Sequence, residues 1–228
     1  MLVLGFPAGS FGTHAYLLAP GAGAGCVIVD PGQRSAGRIA ALVAEHRLVP
    51  EAVLLTHGHF DHTWDVVPVA RRYGVPVHIH PEDRFMLGAP AAGLPADFPP
   101  ELLDGHPDEE PEDVRPLAAD RGVLRIAGLT LHSVHVGGHT PGSVVLHCAD
   151  DESLLLGGDA LFAGALGRTD GPGGSAHRLR AGLARACAPL DDATVVLPGH
   201  GARTTLGRER EVHAFLRPTR RSSPDFRM

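Results

Sequence analysis

The chain has 228 residues, of which 43% are hydrophobic, enough to bury a substantial core in one large domain or two small ones. Its formal net charge is −6 and only 5% of its residues are aromatic, which is atypical of nucleic-acid-binding proteins. The N-terminal stretch has no basic leader and no run of about 18 apolar residues, so we expect a single cytoplasmic domain over residues 1–228, without nucleic-acid or membrane partners.

Short apolar strands separated by glycine and proline recur along the chain. They are predicted at residues 2–6, 15–19, 26–30, 52–56, 75–79, 123–126, 129–136, 143–148, 153–159 and 193–198. Apolar residues at helical spacing predict helices over 35–47 and 176–188, with shorter ones at 64–73 and 209–216. Some strands are apolar on both faces and others pair as hairpins, so we expect an α/β fold with two mixed sheets packed face to face inside helical layers.

The segment from residue 88 to residue 116, here called the proline-rich segment, differs in composition from its surroundings. Besides its prolines, it carries a group of acidic side chains: Asp104, Asp108, Glu109, Glu110, Glu112 and Asp113. This composition predicts a surface loop or lid within the domain. Two interpretations stay open, a tolerated surface insertion and a lid that gates the substrate.

The densest group of potential metal ligands follows the predicted strand at 52–56. It consists of His57, His59, Asp61 and His62. A tight loop can divide such a group into two sets, each facing its own cation. A single histidine is usually an ordinary side chain, but imidazoles and a carboxylate packed together need a counter-charge or solvent. We therefore interpret this loop, residues 57–62, as a metal loop.

Three later segments supply further candidate ligands, each beside glycine at the end of a predicted strand. Each segment alone is typical of a turn, and it is their recurrence after the metal loop that makes His139, Asp159 and His200 candidates. Together the seven side chains suit two metal ions. The predicted assignment is His57, His59 and His139 on one ion, Asp61, His62 and His200 on the other, with Asp159 as the bridge.

Further motifs extend this pattern through nearly the whole chain. They are DPG at 30–32, GHTPGS at 138–143, GDALF at 158–162, GRTD at 167–170, LPGHG at 197–201 and TTLGRERE at 204–211. With the order of the ligands, they resemble the metallo-β-lactamase superfamily and, within it, the glyoxalase II-like hydrolases. The resemblance implies an αββα sandwich with the metals at one edge of the two sheets, and the same ligand assignment. Only residues 201–228 follow His200, so we expect the glutathione-binding helical domain of those enzymes to be absent.

Two divalent cations about 3.5–4 Å apart lower the pKa of a shared water and stabilise an oxyanion. We therefore predict a metal-dependent hydrolase of a small-molecule substrate, with Asp61 and Asp159 as the catalytic carboxylates. Asp61 would orient the water. A thiolate leaves without a strong general acid, since its thiol has a pKa near 8.5, so an acyl-thiol ester fits. Zinc is the first expectation for both metals, and iron and manganese also suit His/Asp ligands.

Three side chains near the candidate ligands have open roles. Arg168 and Asp170 are predicted either to hold the site loop as an ion pair or to contact substrate. Asp30 either supports a metal-bound histidine or caps the turn that follows it.

Other activities within the superfamily also stay open. A persulfide dioxygenase would use one iron on His57, His139 and Asp159, whereas the presence of His200 favours a hydrolase. A lactonase is an alternative, and a non-catalytic metal-binding protein is less favoured because all seven ligands are present. A β-lactamase is also less favoured, because those enzymes do not use a bridging carboxylate at the position of Asp159.

Overall fold

The computed structural model describes residues 1–218. The strands are β1 (Leu2–Ala8), β2 (Thr13–Ala19), β3 (Gly25–Val29), β4 (Val49–Leu54), β5 (Val77–Ile79), β6 (Val114–Pro116), β7 (Arg121–Ile126), β8 (Leu129–His135), β9 (Val144–Cys148), β10 (Leu154–Gly158), β11 (Leu161–Phe162), β12 (Ala165–Leu166), β13 (Val195–Pro198) and β14 (Thr204–Thr205). The α-helices are α1 (Ala36–Glu45), α2 (Phe60–Thr63), α3 (Val66–Tyr73), α4 (Phe85–Gly88), α5 (Ala176–Cys187) and α6 (Leu206–Val212). Short 3₁₀ helices lie at Pro81–Asp83, Pro90–Gly93, Pro100–Leu103 and Ala214–Leu216.

Most strands belong to two six-stranded sheets. Their orders are β1-β2-β3-β4-β5-β6 and β14-β13-β10-β9-β8-β7, with β11 and β12 forming a separate hairpin. Both sheets are mixed: β3 to β6 pair in parallel in the first, and β10 and β13 do so in the second. Parallel neighbours need a crossover connection. Helices α1 and α3 lie in the crossovers of the first sheet, and α5 lies in that of the second.

Three apolar clusters bind the layers together. Leu18 of β2 lies in the cluster between the two sheets, whereas its neighbour Leu17 packs with Ile39 and Leu42 of α1. Successive side chains of a strand point to opposite faces, so one strand serves both clusters. A third cluster buries Leu183 of α5 against the second sheet. The layers are therefore helix, sheet, sheet and helix, and the predicted αββα sandwich is confirmed.

Several boundaries differ from the sequence predictions by a few residues, and two of the differences have a clear structural cause. Residues 114–116, predicted as the end of a loop or lid, form β6 because their backbone pairs in parallel with β5, Val77 opposite Val114. The last helix begins at Leu206 rather than at residue 209, since the Thr205 hydroxyl accepts a hydrogen bond from the Arg208 N–H and caps it. No helix within residues 1–218 is long and apolar enough to cross a membrane.

Candidate metal centre

All seven predicted ligands lie at one edge of the sandwich, in the segments that follow β4, β8, β10 and β13, with Asp61 and His62 in the short helix α2. The structure brings their ligand atoms into three overlapping groups, and the atoms of each group lie within 4.8 Å of one another. These groups are His57 with His59 and His139, His57 with His62 and Asp159, and Asp61 with His62 and His200. Residues far apart in sequence thus meet because the ends of four strands converge.

The first group consists of three imidazoles whose outward nitrogens are already engaged. The Thr56 hydroxyl donates to Asp30 at 2.6 Å, so it accepts from Nδ1–H of His57 at 3.1 Å. Nδ1 of His139 donates to the Arg168 carbonyl at 2.8 Å, and Nε2 of His59 donates to the Gly93 carbonyl at 3.3 Å. Each ring therefore turns its other nitrogen, which carries the lone pair, toward the centre.

The inward nitrogens of this group suit a metal ion. Nε2 of His57 and Nε2 of His139 are buried without a hydrogen-bond partner among the described residues. Leaving a buried polar atom unpaired costs about 1–3 kcal/mol. Burial lowers the pKa of His57, and lowers that of His59 to about 4, so both rings are neutral at neutral pH. Neutral imidazole is the form that binds a metal.

The group of Asp61, His62 and His200, here called the second group, combines a carboxylate with two imidazoles. Oδ2 of Asp61 lies 3.2 Å from Nε2 of His200 and 3.6 Å from Nε2 of His62. Burial favours protonation of Asp61, but the charge on His62 and hydrogen bonds from His200 and Thr13 hold its pKa well below the usual range. Burial would lower the pKa of His62, yet the nearby carboxylates of Asp61, Asp159 and Asp30 raise it well above normal. A metal cation bound here would replace the proton on His62 and balance these carboxylates.

The Asp159 carboxylate lies between the first group, which holds His139, and the second group, which holds His62 and His200. Its Oδ1 is 3.2 Å from Nε2 of His62, while its Oδ2 is 3.8 Å from Nε2 of His139 and 3.5 Å from Nε2 of His200. A Cβ atom on Gly199 would lie 2.1 Å from this carboxylate, so only glycine fits there. Asp159 is therefore the one described carboxylate that approaches histidines of both groups.

Asp30 supports the metal loop from the end of β3. Its carboxylate accepts hydrogen bonds from the Thr56 N–H at 2.8 Å and from Nδ1 of His62 at 3.0 Å. The backbone of Asp30 has φ 48°, which is uncommon for a residue other than glycine. Of the two interpretations left open by the sequence, these hydrogen bonds favour support of a ligand.

Asp83 is a supporting residue that sequence reasoning missed. Its buried carboxylate accepts hydrogen bonds from the Gly58 N–H at 2.9 Å, the Thr140 hydroxyl at 2.6 Å and the Gly142 N–H at 2.6 Å. It therefore ties the metal loop to the loop that carries His139. The only sequence signal is an acidic residue shortly before the apolar pair Met86 and Leu87.

The two side chains predicted to assist the site pair with each other. Nε of Arg168 donates to Oδ1 of Asp170 at 2.7 Å, and both side chains are exposed. The backbone carbonyl of Arg168 is the one that orients His139. A Cβ on the preceding Gly167 would lie 1.7 Å from the Asp159 carbonyl, so this loop packs directly on the centre.

A cavity of about 250 Å³ opens onto the metal centre. Its floor includes the candidate ligands His59, Asp61, His139, Asp159 and His200. Further lining residues are Phe11, Phe60, Gly93, Leu94, Pro95, Phe98, Arg168 and Gly171. The proline-rich segment thus forms part of the wall of the site.

Comparisons with known proteins find relatives that match nearly the whole chain. The model of the metallo-beta-lactamase superfamily matches residues 8–200. An uncharacterized protein of Mycobacterium leprae is 46% identical over 219 residues, which cover 95% of this chain and 99% of that protein. Hydroxyacylglutathione hydrolase GloC of Haemophilus influenzae is 31% identical over 195 residues, covering 83% of this chain and 86% of the enzyme.

Solved structures show the same architecture. BLEG-1 B3 metallo-beta-lactamase has 33% sequence identity and a TM-score of 0.81, covering 94% of this chain and 99% of that one. The structure of TTHA1623 in a di-iron-bound form has 33% identity and a TM-score of 0.73, covering 95% of this chain and 100% of that one.

Proposed function

Because the chain belongs to the metallo-β-lactamase superfamily, whose match spans residues 8–200, we propose that it is a binuclear metal-dependent hydrolase of acyl-thiol esters. The proposed metal ligands are His57, His59, Asp61, His62, His139, Asp159 and His200. The observation that carries this proposal is the Asp159 carboxylate, which lies within 3.8 Å of histidine nitrogens from both ligand groups.

The residues present fit two divalent cations. One group offers three imidazole nitrogens, and the other offers a carboxylate and two imidazoles. When bound, two such ions polarise a substrate carbonyl and lower the pKa of a water molecule that they share. We propose zinc first, and the di-iron form of TTHA1623 supports iron as the alternative.

Asp61 is the proposed orienting carboxylate. The Thr13 hydroxyl donates to its Oδ2 at 2.7 Å, so the side chain is held in one position. Its other oxygen is free of that contact and can accept a hydrogen bond from the attacking water, which orients it. The ion pair of Arg168 with Asp170 is proposed to hold the loop whose carbonyl orients His139.

The surroundings of the cavity support a thiol as the leaving group. Among the described residues that line it, Arg168 is the only ionisable side chain besides the proposed ligands. An arginine does not give up a proton at neutral pH. A thiolate needs no strong acid to leave, whereas an amine or alkoxide does. The relative named hydroxyacylglutathione hydrolase supports the same class.

A second candidate is hydrolysis of a β-lactam amide. The observation that favours it is the similarity to BLEG-1 B3 metallo-beta-lactamase. The Asp159 carboxylate weighs against it, because it lies where the resemblance to glyoxalase II-like hydrolases implies a bridging ligand. The mononuclear dioxygenase is less favoured, since it would leave Asp61, His62 and His200 grouped within 4.8 Å without a role.

Metal analysis combined with a substrate panel tests the proposal. We expect about two metal ions per chain, and hydrolysis of a thioester faster than that of a lactone or a cephalosporin. Asp159→Ala should abolish the activity, whereas Asp104→Ala, at an exposed position of the proline-rich segment, should not. About one metal ion per chain with oxygen consumption on a persulfide would identify a dioxygenase instead. A faster rate on the cephalosporin would identify a β-lactamase.

A further inference from the structure

One side of the cavity is apolar and is assembled from three separate parts of the chain. Phe11 lies in the turn between β1 and β2, Phe60 begins α2, and Leu94 and Phe98 belong to the proline-rich segment. The ring centroid of Phe60 lies 4.9 Å from that of Phe11 and 5.4 Å from that of Phe98. Such edge-on contacts favour a fixed arrangement of the rings. We call these four residues the apolar wall.

The apolar wall is attached directly to the metal centre. Gly93, next to Leu94, accepts the hydrogen bond of His59 Nε2 at 3.3 Å through its carbonyl. Phe98 lies in the turn that follows Leu94, where its N–H donates to the Pro95 carbonyl at 3.0 Å. Phe60 lies in the metal loop itself, between His59 and Asp61. A group bonded to a carbonyl at this centre would therefore lie beside these side chains.

The remaining surroundings offer little to a polar group. Apart from the proposed ligands, the described side chain in the cavity that can donate a hydrogen bond is Arg168, which is already paired with Asp170. The volume of about 250 Å³ is below the range of about 300–1,000 Å³ for sites that enclose a drug-sized ligand. The cavity therefore suits a short apolar group rather than a whole thioester.

We propose that the apolar wall is the subsite for the acyl group, and that it selects short alkyl acyl chains over hydroxylated ones. This inference rests on the proposed thioester hydrolysis. Each methylene moved from water onto apolar side chains should raise kcat/KM about fourfold while space remains. A hydroxyl on the acyl group would lose its water contacts without a replacement, lowering kcat/KM by about tenfold.

A series of thioesters with one thiol and different acyl groups tests the subsite. We suggest the acetyl, propionyl, butyryl, hexanoyl and lactoyl thioesters of N-acetylcysteamine, with butyryl-glutathione and butyryl-coenzyme A to vary the thiol. kcat/KM should rise from acetyl to butyryl, and propionyl should exceed lactoyl. Rates that follow the thiol and ignore the acyl group would overturn the subsite. Hydrolysis of none of these esters would instead refute the proposed function.

Variants of the apolar wall distinguish a change in acyl-group selectivity from a general loss of activity. Phe98→Ala should lower kcat/KM for the butyryl ester about tenfold and leave the acetyl ester within about twofold. Leu94→Trp should fill the space beside the wall. It should lower kcat/KM for the hexanoyl ester by a similar factor and leave kcat/KM for the acetyl ester nearly unchanged. Phe85→Ala is the matched control, because Phe85 is 47% exposed and lies outside the cavity. An equal loss for every acyl group in both wall variants, with unchanged thermal unfolding, would contradict the subsite.

Discussion

The metal loop and the proline-rich segment form neighbouring walls of one cavity, but different interactions hold them in place. The metal loop is tied down by buried carboxylates, Asp30 from the end of β3 and Asp83 from a 3₁₀ helix. The proline-rich segment is built from 3₁₀ turns and aromatic contacts, and its Glu110 forms an exposed ion pair with Arg84.

This difference separates the positioning of the metal ligands from the shape of the substrate cavity. A buried carboxylate that accepts several N–H and O–H groups leaves each of them unpaired when it is removed, at about 1–3 kcal/mol apiece. An exposed ion pair contributes about 0–1 kcal/mol. Apart from Gly93, whose carbonyl accepts the hydrogen bond of His59, the proline-rich segment can therefore change its sequence with little effect on the metal ligands, whereas the supports of the metal loop cannot.

Among the side chains that hold these two regions in place, the largest effect is expected at Asp83. In Asp83→Asn an amide NH₂ would replace one acceptor oxygen, so it would face the N–H of either Gly58 or Gly142. Loss of a support behind metal ligands typically costs about 10–100-fold in metal affinity or activity. We expect kcat/KM to fall toward the upper end of that range, with a decrease of about 5 °C in the unfolding temperature.

Metal titration separates this role from a general loss of stability. Asp83→Asn should bind zinc more weakly even at temperatures where it is fully folded, and excess zinc should restore part of the activity. The matched control is Asp104→Asn, since Asp104 is exposed. A variant that is destabilised but keeps normal zinc affinity and activity would show that Asp83 supports only the fold.

The strands and the metal loop were accessible to sequence analysis because their signals are local. Apolar runs that end in glycine and polar residues predicted every strand on which a proposed ligand depends. Asp83 gave no such signal, since its partners lie 25, 57 and 59 residues away in the sequence. Its role exists only once the loops after β4 and β8 have come together.

Two features of the proline-rich segment also could not be predicted from local sequence patterns. Strand β6 has three residues, one of them proline, which is too short for an alternating pattern. These residues become a strand because β5 presents an unpaired edge to them. Likewise, Leu94 and Phe98 are two apolar residues among prolines, and only the folded structure, in which Phe98 packs against Phe60, shows that they line the cavity.

An intermediate effect is expected from acid on the contact between His106 and Trp64, whose ring centroids are 5.2 Å apart. Burial lowers the pKa of His106. The Pro107 carbonyl and the carboxylates of Asp108 and Asp65 oppose this effect, but burial outweighs them. The folded state therefore binds a proton less readily than the unfolded state does. Stability from this contact is present above the ordinary histidine pKa, about 6.5, and is lost as the pH falls below it.

Trp64 is the single tryptophan of the chain and reports this contact directly. In zinc-loaded protein, its fluorescence should change between pH 7 and pH 5, and the preference for longer acyl groups should weaken over the same interval. His106→Gln should remove the transition, while His132→Gln, at an exposed position on β8, should retain it. A transition that persists without His106 would assign the change to another group.

The smallest effect is expected at the ion pair between Arg84 and Glu110. Nε of Arg84 lies 2.7 Å from Oε1 of Glu110, but both side chains are largely exposed to solvent and counter-ions. Arg84→Ala, Glu110→Ala and the double variant should each shift the unfolding temperature by less than about 3 °C, and kcat/KM on acetyl and butyryl esters by less than about twofold. A clearly larger coupling in the double-mutant cycle, or an acyl-dependent loss of activity, would mean that surface charge helps to hold the cavity wall. The proline-rich segment would then be held in part by charged side chains, as the metal loop is. The selectivity of the enzyme between acyl groups would then fall with rising salt concentration.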